Sequence, residues 1–183
     1  MLKAHPRNEK GKNIIRHINE TISKTEFSNW IVFLPNYDLE SAKYLVAGSD
    51  VWLNTPIRGK EASGTSGMKS SANGVLQCSV CDGWFDEVRD FGLGWNLDDK
   101  DTARSIYTTL EREVLTLFYN RGTDGVPEDW VNRMKKTMAK IMEDYSASRM
   151  LKDYFQKLYI PAFEQFKGNY HRTKRIRENP NKV

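Results

Sequence analysis

A nine-residue stretch rich in glycine and hydroxyl residues, residues 61–69, concentrates groups suited to binding an anion. Its sequence is Glu-Ala-Ser-Gly-Thr-Ser-Gly-Met-Lys. Glycine lets the backbone approach a ligand closely and adopts positive φ at low cost. Backbone N–H groups at the start of a helix attract phosphate, and hydroxyl groups and a nearby lysine add donors and charge. Residue types alone therefore favour an anion-binding loop, with a structural turn as the alternative.

Two nucleotide-binding patterns do not fit this stretch. The phosphate-loop pattern requires a lysine directly after its second glycine. Gly59 and Gly64 have the required spacing, but Thr65 stands where the lysine must be. The dinucleotide pattern requires a further glycine two positions before the Gly64 and Gly67 pair, and none is there. Both motifs are therefore excluded.

The elements around the loop indicate an α/β fold with a parallel sheet. Hydrophobic spacing and turn residues predict helices over 11–22, 39–47 and about 66–72, and buried strands over 30–34, 50–53 and 75–80. Alternating helices and strands are typical of α/β folds, in which ligands bind beyond the C-terminal ends of the strands. Residues 61–69 follow a predicted strand and precede a predicted helix, so their position agrees with their chemistry.

The character of the chain changes after residue 82. Apolar residues at helical spacing predict helices over 103–119, 130–145 and 148–159, the last ended by Pro161. These apolar stripes are interpreted as core packing. No internal repeat is evident.

Cys78 and Cys81 form a C-x-x-C pair, which is typical of a redox site or of half a zinc site. No second pair exists, and the three histidines lie far away in sequence. On a strand, positions three residues apart face opposite ways, which works against a shared metal. The pair is therefore predicted to be structural, and no metal site is expected.

The formal net charge of +4 is concentrated at the C-terminus. Residues 168–183 contain five basic residues and one acidic residue, so the rest of the chain is neutral. A solvated terminus is favoured over a nucleic-acid contact, because no nucleic-acid motif accompanies the charge. The sequence contains neither an apolar run of membrane-spanning length nor a secretory signal, so a cytoplasmic location is expected.

The stretch at residues 61–69 resembles the pyridoxal-phosphate lysine segment of the α-glucan (glycogen, starch and maltodextrin) phosphorylases. Further blocks similar to that family are residues 3–6, 33–37, 50–56, 73–76 and 82–87. The pattern is closest to the shorter bacterial and archaeal branch, and the resemblance runs from about residue 3 to residue 163.

The resemblance implies a cofactor, pyridoxal 5′-phosphate, and the residues that bind it. Lys69 matches the catalytic lysine that forms the Schiff base with the cofactor. Thr65 and the backbone at Ser66 and Gly67 match the groups that hold the cofactor phosphate, and Tyr37 matches a tyrosine near that phosphate.

The resemblance also implies a substrate, a reaction and a partner. Glu61, Ser63 and Gly64 match positions that hydrogen-bond the glucosyl unit. The implied activity is phosphorolysis of an α-1,4-glucan by inorganic phosphate, which releases glucose 1-phosphate. In the family, the residues that grip the substrate phosphate lie outside the part this chain resembles. A separate chain carrying the N-terminal half is therefore an expected partner, and no nucleic acid or membrane is expected as one.

The fold class implied is part of a GT-B (Rossmann-like) C-terminal domain. Residues 1–100 would form a partial Rossmann-like cofactor- and sugar-binding region, 101–166 the C-terminal helical region of the same domain, and 167–183 a basic tail. An incomplete phosphorylase fragment is favoured. A non-catalytic remnant that binds pyridoxal phosphate or glucan, and a nucleotide-sugar glycosyltransferase of GT-B fold, are the alternatives. A sheet lacking strands would leave an apolar edge near residues 30–34 or 75–80.

Overall fold

A computed structural model describes residues 6–24, 26–35 and 37–168, and the chain divides into two compact units. The first unit, Met1–Gly48, contains helices α1 (Glu9–Ile22) and α2 (Leu39–Gly48). The Asn8 side chain accepts a hydrogen bond from the Gly11 N–H at 3.0 Å, which satisfies one free donor at the start of α1. Both helices confirm the predictions made from apolar spacing.

The apolar run at residues 30–34 is not a strand, so that prediction is wrong. Residues 31–34 have no regular structure, and Trp30 and Val32 are 85% and 78% exposed. A strand needs a neighbour to pair its N–H and C=O groups, and none of the described residues pairs with this run. The hydrophobic pattern correctly identified an apolar segment, and the apolar surface expected there is exposed. A strand also needs a neighbouring strand to pair with, which the hydrophobic pattern cannot reveal.

The second unit, Ser49–Val183, is built on a three-stranded parallel sheet. Its strands are β1 (Val51–Asn54), β2 (Leu76–Val80) and β3 (Gly94–Leu97), in the order β1-β2-β3. All five residues of the central strand β2 are buried. The parallel α/β class is therefore confirmed, whereas the expectation that residues 75–80 lie at an unpaired edge is wrong.

Helices follow each strand. After β1 comes α3 (Thr65–Ala72) and after β2 comes α4 (Gly83–Val88); after β3 come α5 (Thr102–Thr109), α6 (Leu115–Tyr119), α7 (Glu128–Asp144) and α8 (Ala147–Tyr154). A π-helical turn, Leu110–Val114, joins α5 to α6. None of the described helices has the length and apolar content that a membrane span requires.

Pro161 does not end the last helix, contrary to the prediction. A π-helical turn, Phe155–Tyr159, extends α8, and residues 160–168 remain helical. The Ile160 N–H donates to the carbonyl of Phe155, five residues earlier, immediately before the proline. Because a proline lacks an N–H and crowds the preceding turn, a widened turn at this point lets the helix continue.

The two faces of β2 differ in polarity. Leu76, Cys78 and Val80 occupy alternate positions and belong to a buried apolar cluster with Trp95, Leu97, Val114 and Trp130. Gln77 and Ser79 lie between them and so point to the opposite face, where Gln77 contacts α3. The sheet therefore presents an apolar face to the C-terminal helices and a polar face to α3.

Candidate functional site

The glycine- and hydroxyl-rich loop lies between β1 and α3, at the C-terminal edge of the parallel sheet. β1 ends at Asn54, and α3 begins at Thr65 directly after Gly64. Gly64 has φ +87°, in the left-handed region that side chains disfavour. A methyl group added to Gly64 would also meet the indole of Trp84 at 3.0 Å. Both conditions require glycine where the chain turns into the helix.

The start of α3 presents two backbone donors. Gly64 provides no side-chain cap, and its carbonyl accepts the N–H groups of Gly67 at 3.1 Å and Met68 at 3.4 Å. Within the described part of the chain, the N–H groups of Thr65 and Ser66 have no acceptor. Free N–H groups in the first turn of a helix form a site for a phosphate or carboxylate. In this arrangement the Gly67 N–H is already used within the helix.

Lys69 lies one helical turn after Thr65, and both residues are exposed. Residues four apart share a helix face, so the hydroxyl of Thr65 and the amine of Lys69 point to the same side. One face of α3 therefore carries an anion-binding end and, a turn away, a primary amine.

The opposite face of α3 is packed closely on the sheet. Gln77, 1% exposed, donates from Nε2 to Ser70 Oγ at 2.9 Å, and Ser70 Oγ donates to the Gly67 carbonyl at 3.0 Å. A methyl group at Gly67 would lie 2.9 Å from both Gln77 Oε1 and Trp84 Nε1. The small residues on this face let α3 approach the strand, and the hydrogen bonds fix its position.

The Glu61 side chain lies beside the glycine turn. A methyl group at Gly64 would be 3.7 Å from Glu61 Cγ, and one at Gly83 would be 3.1 Å from the same atom. The Glu61 carboxylate makes no hydrogen bond or ion pair with any described residue. The hydroxyl of Ser63, an exposed residue, faces the sulfur of Met68 at 3.8 Å. Glu61, Ser63 and Gly64 thus lie within one turn of backbone beside the start of α3, and the Glu61 carboxylate is available to a ligand.

Tyr37 lies in the first unit, two residues before α2, and is half-buried there. Its approach to the cofactor phosphate remains a prediction. The other seven residues singled out from the sequence lie together in the second unit, on the loop and on α3.

Three residues outside the loop support the site, and the sequence reasoning gave none of them a role. They are Gln77 on β2, Asp82 at the end of the β2–α4 junction, and Trp84 on α4. Asp82 and Trp84 belong to the block at residues 82–87, which resembles the phosphorylase family. That resemblance was the sequence signal that could have identified them. Gln77, a polar residue in an otherwise buried run, was a second signal.

The two cysteines are buried and free, 0% and 9% exposed. Cys78 belongs to the apolar cluster on one face of β2, whereas Cys81 packs in a second cluster with Trp84, Phe85 and Ile141. Burial raises the pKa of the Cys78 thiol to about 11. The predicted placement of both cysteines in the core is confirmed. Among the described residues, no group of three or more His, Cys, Asp or Glu side chains is arranged to hold a metal ion.

Comparison with known proteins identifies relatives for most of the chain. The carbohydrate phosphorylase family model matches residues 2–94. The chain is 43% identical over 171 residues to a glycogen phosphorylase of Aquifex aeolicus, covering 89% of this chain and 25% of that protein. It is 44% identical over 172 residues to a maltodextrin phosphorylase of Thermococcus litoralis, covering 87% of this chain and 20% of that protein.

A glycogen phosphorylase of Mycobacterium tuberculosis is 39% identical over 176 residues, covering 90% of this chain and 20% of that protein. The chain therefore spans about a fifth to a quarter of the length of the curated relatives it matches.

Proposed function

Because the chain belongs to the carbohydrate phosphorylase family, we propose that it forms the cofactor- and glucosyl-binding part of an α-glucan phosphorylase. The observation that carries this proposal is the exposed face of α3. Among the described residues, the backbone N–H groups of Thr65 and Ser66 at the start of this helix have no acceptor, and Lys69 lies one turn further along, on the face of Thr65. In this proposal the sheet and its helices are part of a GT-B C-terminal domain.

The residues present fit pyridoxal phosphate. The N–H groups of Thr65 and Ser66 and the Thr65 hydroxyl would hold its phosphate, because they are donors at the positive end of a helix. The Lys69 amine, one turn along the same face, would bind its aldehyde carbon. Tyr37 is assigned to that phosphate by the resemblance alone. When bound, the cofactor supplies a phosphate group that exchanges a proton with the substrate phosphate.

The chain's own part in the reaction is to bind and orient the sugar. The Glu61 carboxylate would accept hydrogen bonds from glucosyl hydroxyls, a charge-assisted contact, with Ser63 and Gly64 beside it. In the proposed reaction inorganic phosphate replaces the glucan chain at the terminal glucosyl carbon. The products are glucose 1-phosphate and a glucan shortened by one unit.

A partner carrying the remaining site residues is part of the proposal. Lys69 is assigned to the cofactor, and Arg58, a loop cation, lies 4.0 Å from the Asp86 carboxylate. In the family that the chain resembles, the residues that grip the substrate phosphate lie outside the matched part, so the cations that neutralise two adjacent phosphates are assigned to a partner chain or segment. Exposed apolar side chains along the last helix, such as Phe155, Leu158 and Phe163, support the presence of such a partner.

Covalent labelling tests the cofactor assignment. The chain is incubated with pyridoxal phosphate at low concentration, reduced with borohydride, and the labelled peptide is located by mass spectrometry. We expect labelling at Lys69 in the wild type and in Lys60→Ala, a nearby exposed-lysine control, and its loss in Lys69→Ala. Pyridoxal without phosphate should label Lys69 much less. Equal labelling of the Lys69→Ala protein would refute the assignment.

Turnover separates the enzyme from a non-catalytic remnant. We expect no release of glucose 1-phosphate from maltodextrin and phosphate by this chain alone, because the cations for the substrate phosphate are assigned to a partner. Clear release by the chain alone would show that no partner is needed. Specific labelling of Lys69 that persists without turnover, even when the rest of a phosphorylase is supplied, would favour the remnant.

A further inference from the structure

The structure assigns a positioning role to Asp82, which follows β2 at the same edge of the sheet as the loop. We propose that its carboxylate fixes the backbone at Lys60 and Glu61, and so holds the Glu61 side chain where it binds the sugar. The sugar-binding part of this inference rests on the proposed function.

Three backbone N–H groups converge on the Asp82 carboxylate. Oδ2 accepts the N–H of Glu61 at 3.0 Å and that of Lys60 at 3.2 Å, while Oδ1 accepts the N–H of Gly83 at 2.9 Å. Hydrogen bonds to an ionised group are stronger than those between neutral groups. The pKa of the Asp82 carboxyl is lowered, with the Glu61 N–H as the largest cause. Asp82 therefore joins α4 to a loop segment more than 20 residues away in sequence.

A second contact secures the other end of the same segment. The N–H of Trp84 donates to the carbonyl of Ser63 at 2.9 Å. Gly83 has φ +53°, and a methyl group there would lie 2.6 Å from the Ser63 carbonyl oxygen. Residues 60–63 are thus attached at both ends to residues 82–84. Glu61 is itself attached through its N–H and is followed two residues later by the Ser63 attachment, so its side chain has a defined place beside Gly64.

The helix α3 is held by different contacts. Gln77 and Ser70 hydrogen-bond on its sheet-facing side, and Val75 donates to the Ser70 carbonyl at 3.0 Å. None of these bonds includes Asp82. Asp82 therefore contacts the loop that carries Glu61 and not α3, whereas Trp84 contacts both. A change at Asp82 alone is predicted to affect sugar binding more than cofactor binding.

Asp82→Asn distinguishes positioning from capping. Asparagine caps a helix about as well as aspartate, so α4 should keep its cap. An amide has one acceptor oxygen instead of two, and its NH₂ group opposes the N–H donors. The asparagine oxygen of the variant can accept the hydrogen bond from the Gly83 N–H or those from the loop N–H groups, but not both sets. Asp101→Asn is the matched control, because Asp101 also caps a helix, α5, through its side chain.

The experiment measures backbone protection and two ligand affinities in the full chain. In Asp82→Asn we expect amide hydrogen exchange at Lys60 and Glu61 to rise at least tenfold, with exchange in α3 unchanged. Affinity for maltotriose should fall about tenfold, while Lys69 labelling by pyridoxal phosphate changes less than twofold. Asp101→Asn should match the wild type in all three measurements.

Other outcomes overturn the inference. Unchanged exchange at Lys60 and Glu61 would show that Asp82 does not hold the loop. A parallel loss of maltotriose affinity and labelling would show a general structural role. Wild-type protein that labels at Lys69 but does not bind maltotriose would remove the sugar-binding role of Glu61. Failure of wild-type labelling instead contradicts the proposed cofactor site, while the exchange measurement still decides whether Asp82 holds the loop.

Discussion

Adding one methyl group at Gly67 tests whether α3 is held as tightly against the sheet as the structure indicates. In Gly67→Ala, the new Cβ would lie 2.9 Å from Gln77 Oε1 and 2.9 Å from Trp84 Nε1. Gln77 and Trp84 are 1% and 5% exposed, so neither side chain can turn into solvent. Accommodating the methyl group requires α3 to move away from the strand or the two side chains to leave their rotamers.

The magnitude follows from two opposing effects. Replacing a helical glycine by alanine stabilises an unobstructed helix by about 1 kcal/mol. Overpacking a filled interior costs about 1–3 kcal/mol, and disturbing the hydrogen bond from Gln77 to Ser70 adds about 1 kcal/mol. The steric cost exceeds the gain in helix propensity. We therefore expect Gly67→Ala to lower the free energy of unfolding by about 1–3 kcal/mol.

Urea unfolding followed by far-UV circular dichroism measures this change. Gly48→Ala is the control, because Gly48 also lies in a helix and its added methyl group meets no atom within 4 Å. The control should keep or raise its midpoint. In a Gln77→Ala background the cost of Gly67→Ala should shrink, since one of the two crowding groups is gone. If Gly67→Ala raises stability by about 1 kcal/mol, as helix propensity alone predicts, the close packing inferred for α3 is refuted.

Three further predictions concern the core and the surface. Gly94→Ala should unfold the second unit or lower its melting temperature sharply, because the methyl group would lie 2.0 Å from the Gln77 carbonyl of the neighbouring strand. Gly122→Ala, whose methyl group is crowded only by the Asp124 side chain at 3.0 Å, is the control. Cys78 should resist a thiol reagent until the protein unfolds. The free energy of unfolding should fall as pH rises from about 9 toward 11, because the Cys78 thiol ionises at lower pH in the unfolded chain than in the folded one. Cys78→Ala should weaken this pH dependence. The exposed apolar face of the last helix should cause self-association, which a Phe163→Gln variant should reduce in analytical ultracentrifugation; a monodisperse wild type would contradict this.

Local patterns in the sequence were sufficient for most helices and for two strands. The apolar spacing in α1 and α7 and the short apolar runs at β1 and β2 each describe how a segment buries its own side chains. β3 was missed because Gly94–Leu97 is four residues long and includes a glycine and an asparagine. Its strand conformation comes from pairing with β2, which local composition does not record.

The candidate site also has a part that local sequence could predict and a part that it could not. The loop and α3 are contiguous in sequence, so residue types were sufficient to predict an anion-binding loop that leads into a helix with a lysine near its start. The supports at Gln77, Asp82 and Trp84 are 10 to 21 residues from the groups they contact at Gly67 and Glu61. Only the parallel crossover from β1 through α3 to β2 brings them together, so single-sequence reasoning could not assign their roles.

The polarity of β2 explains how α3 can be firmly placed while its functional groups stay free of packing. Gln77 hydrogen-bonds the sheet-facing side of α3, whereas the exposed Lys69 side chain makes no hydrogen bond or ion pair with a described residue. The Lys69 backbone carbonyl, which alanine would keep, accepts a hydrogen bond from Asn73 Nδ2 at 2.8 Å. Lys69→Ala should therefore change the free energy of unfolding by no more than about 0.5 kcal/mol, as measured by urea unfolding. A destabilisation in the range of about 1–3 kcal/mol expected for Gly67→Ala would show that Lys69 helps to hold the helix. Loss of labelling in Lys69→Ala could then not be assigned to the missing amine alone.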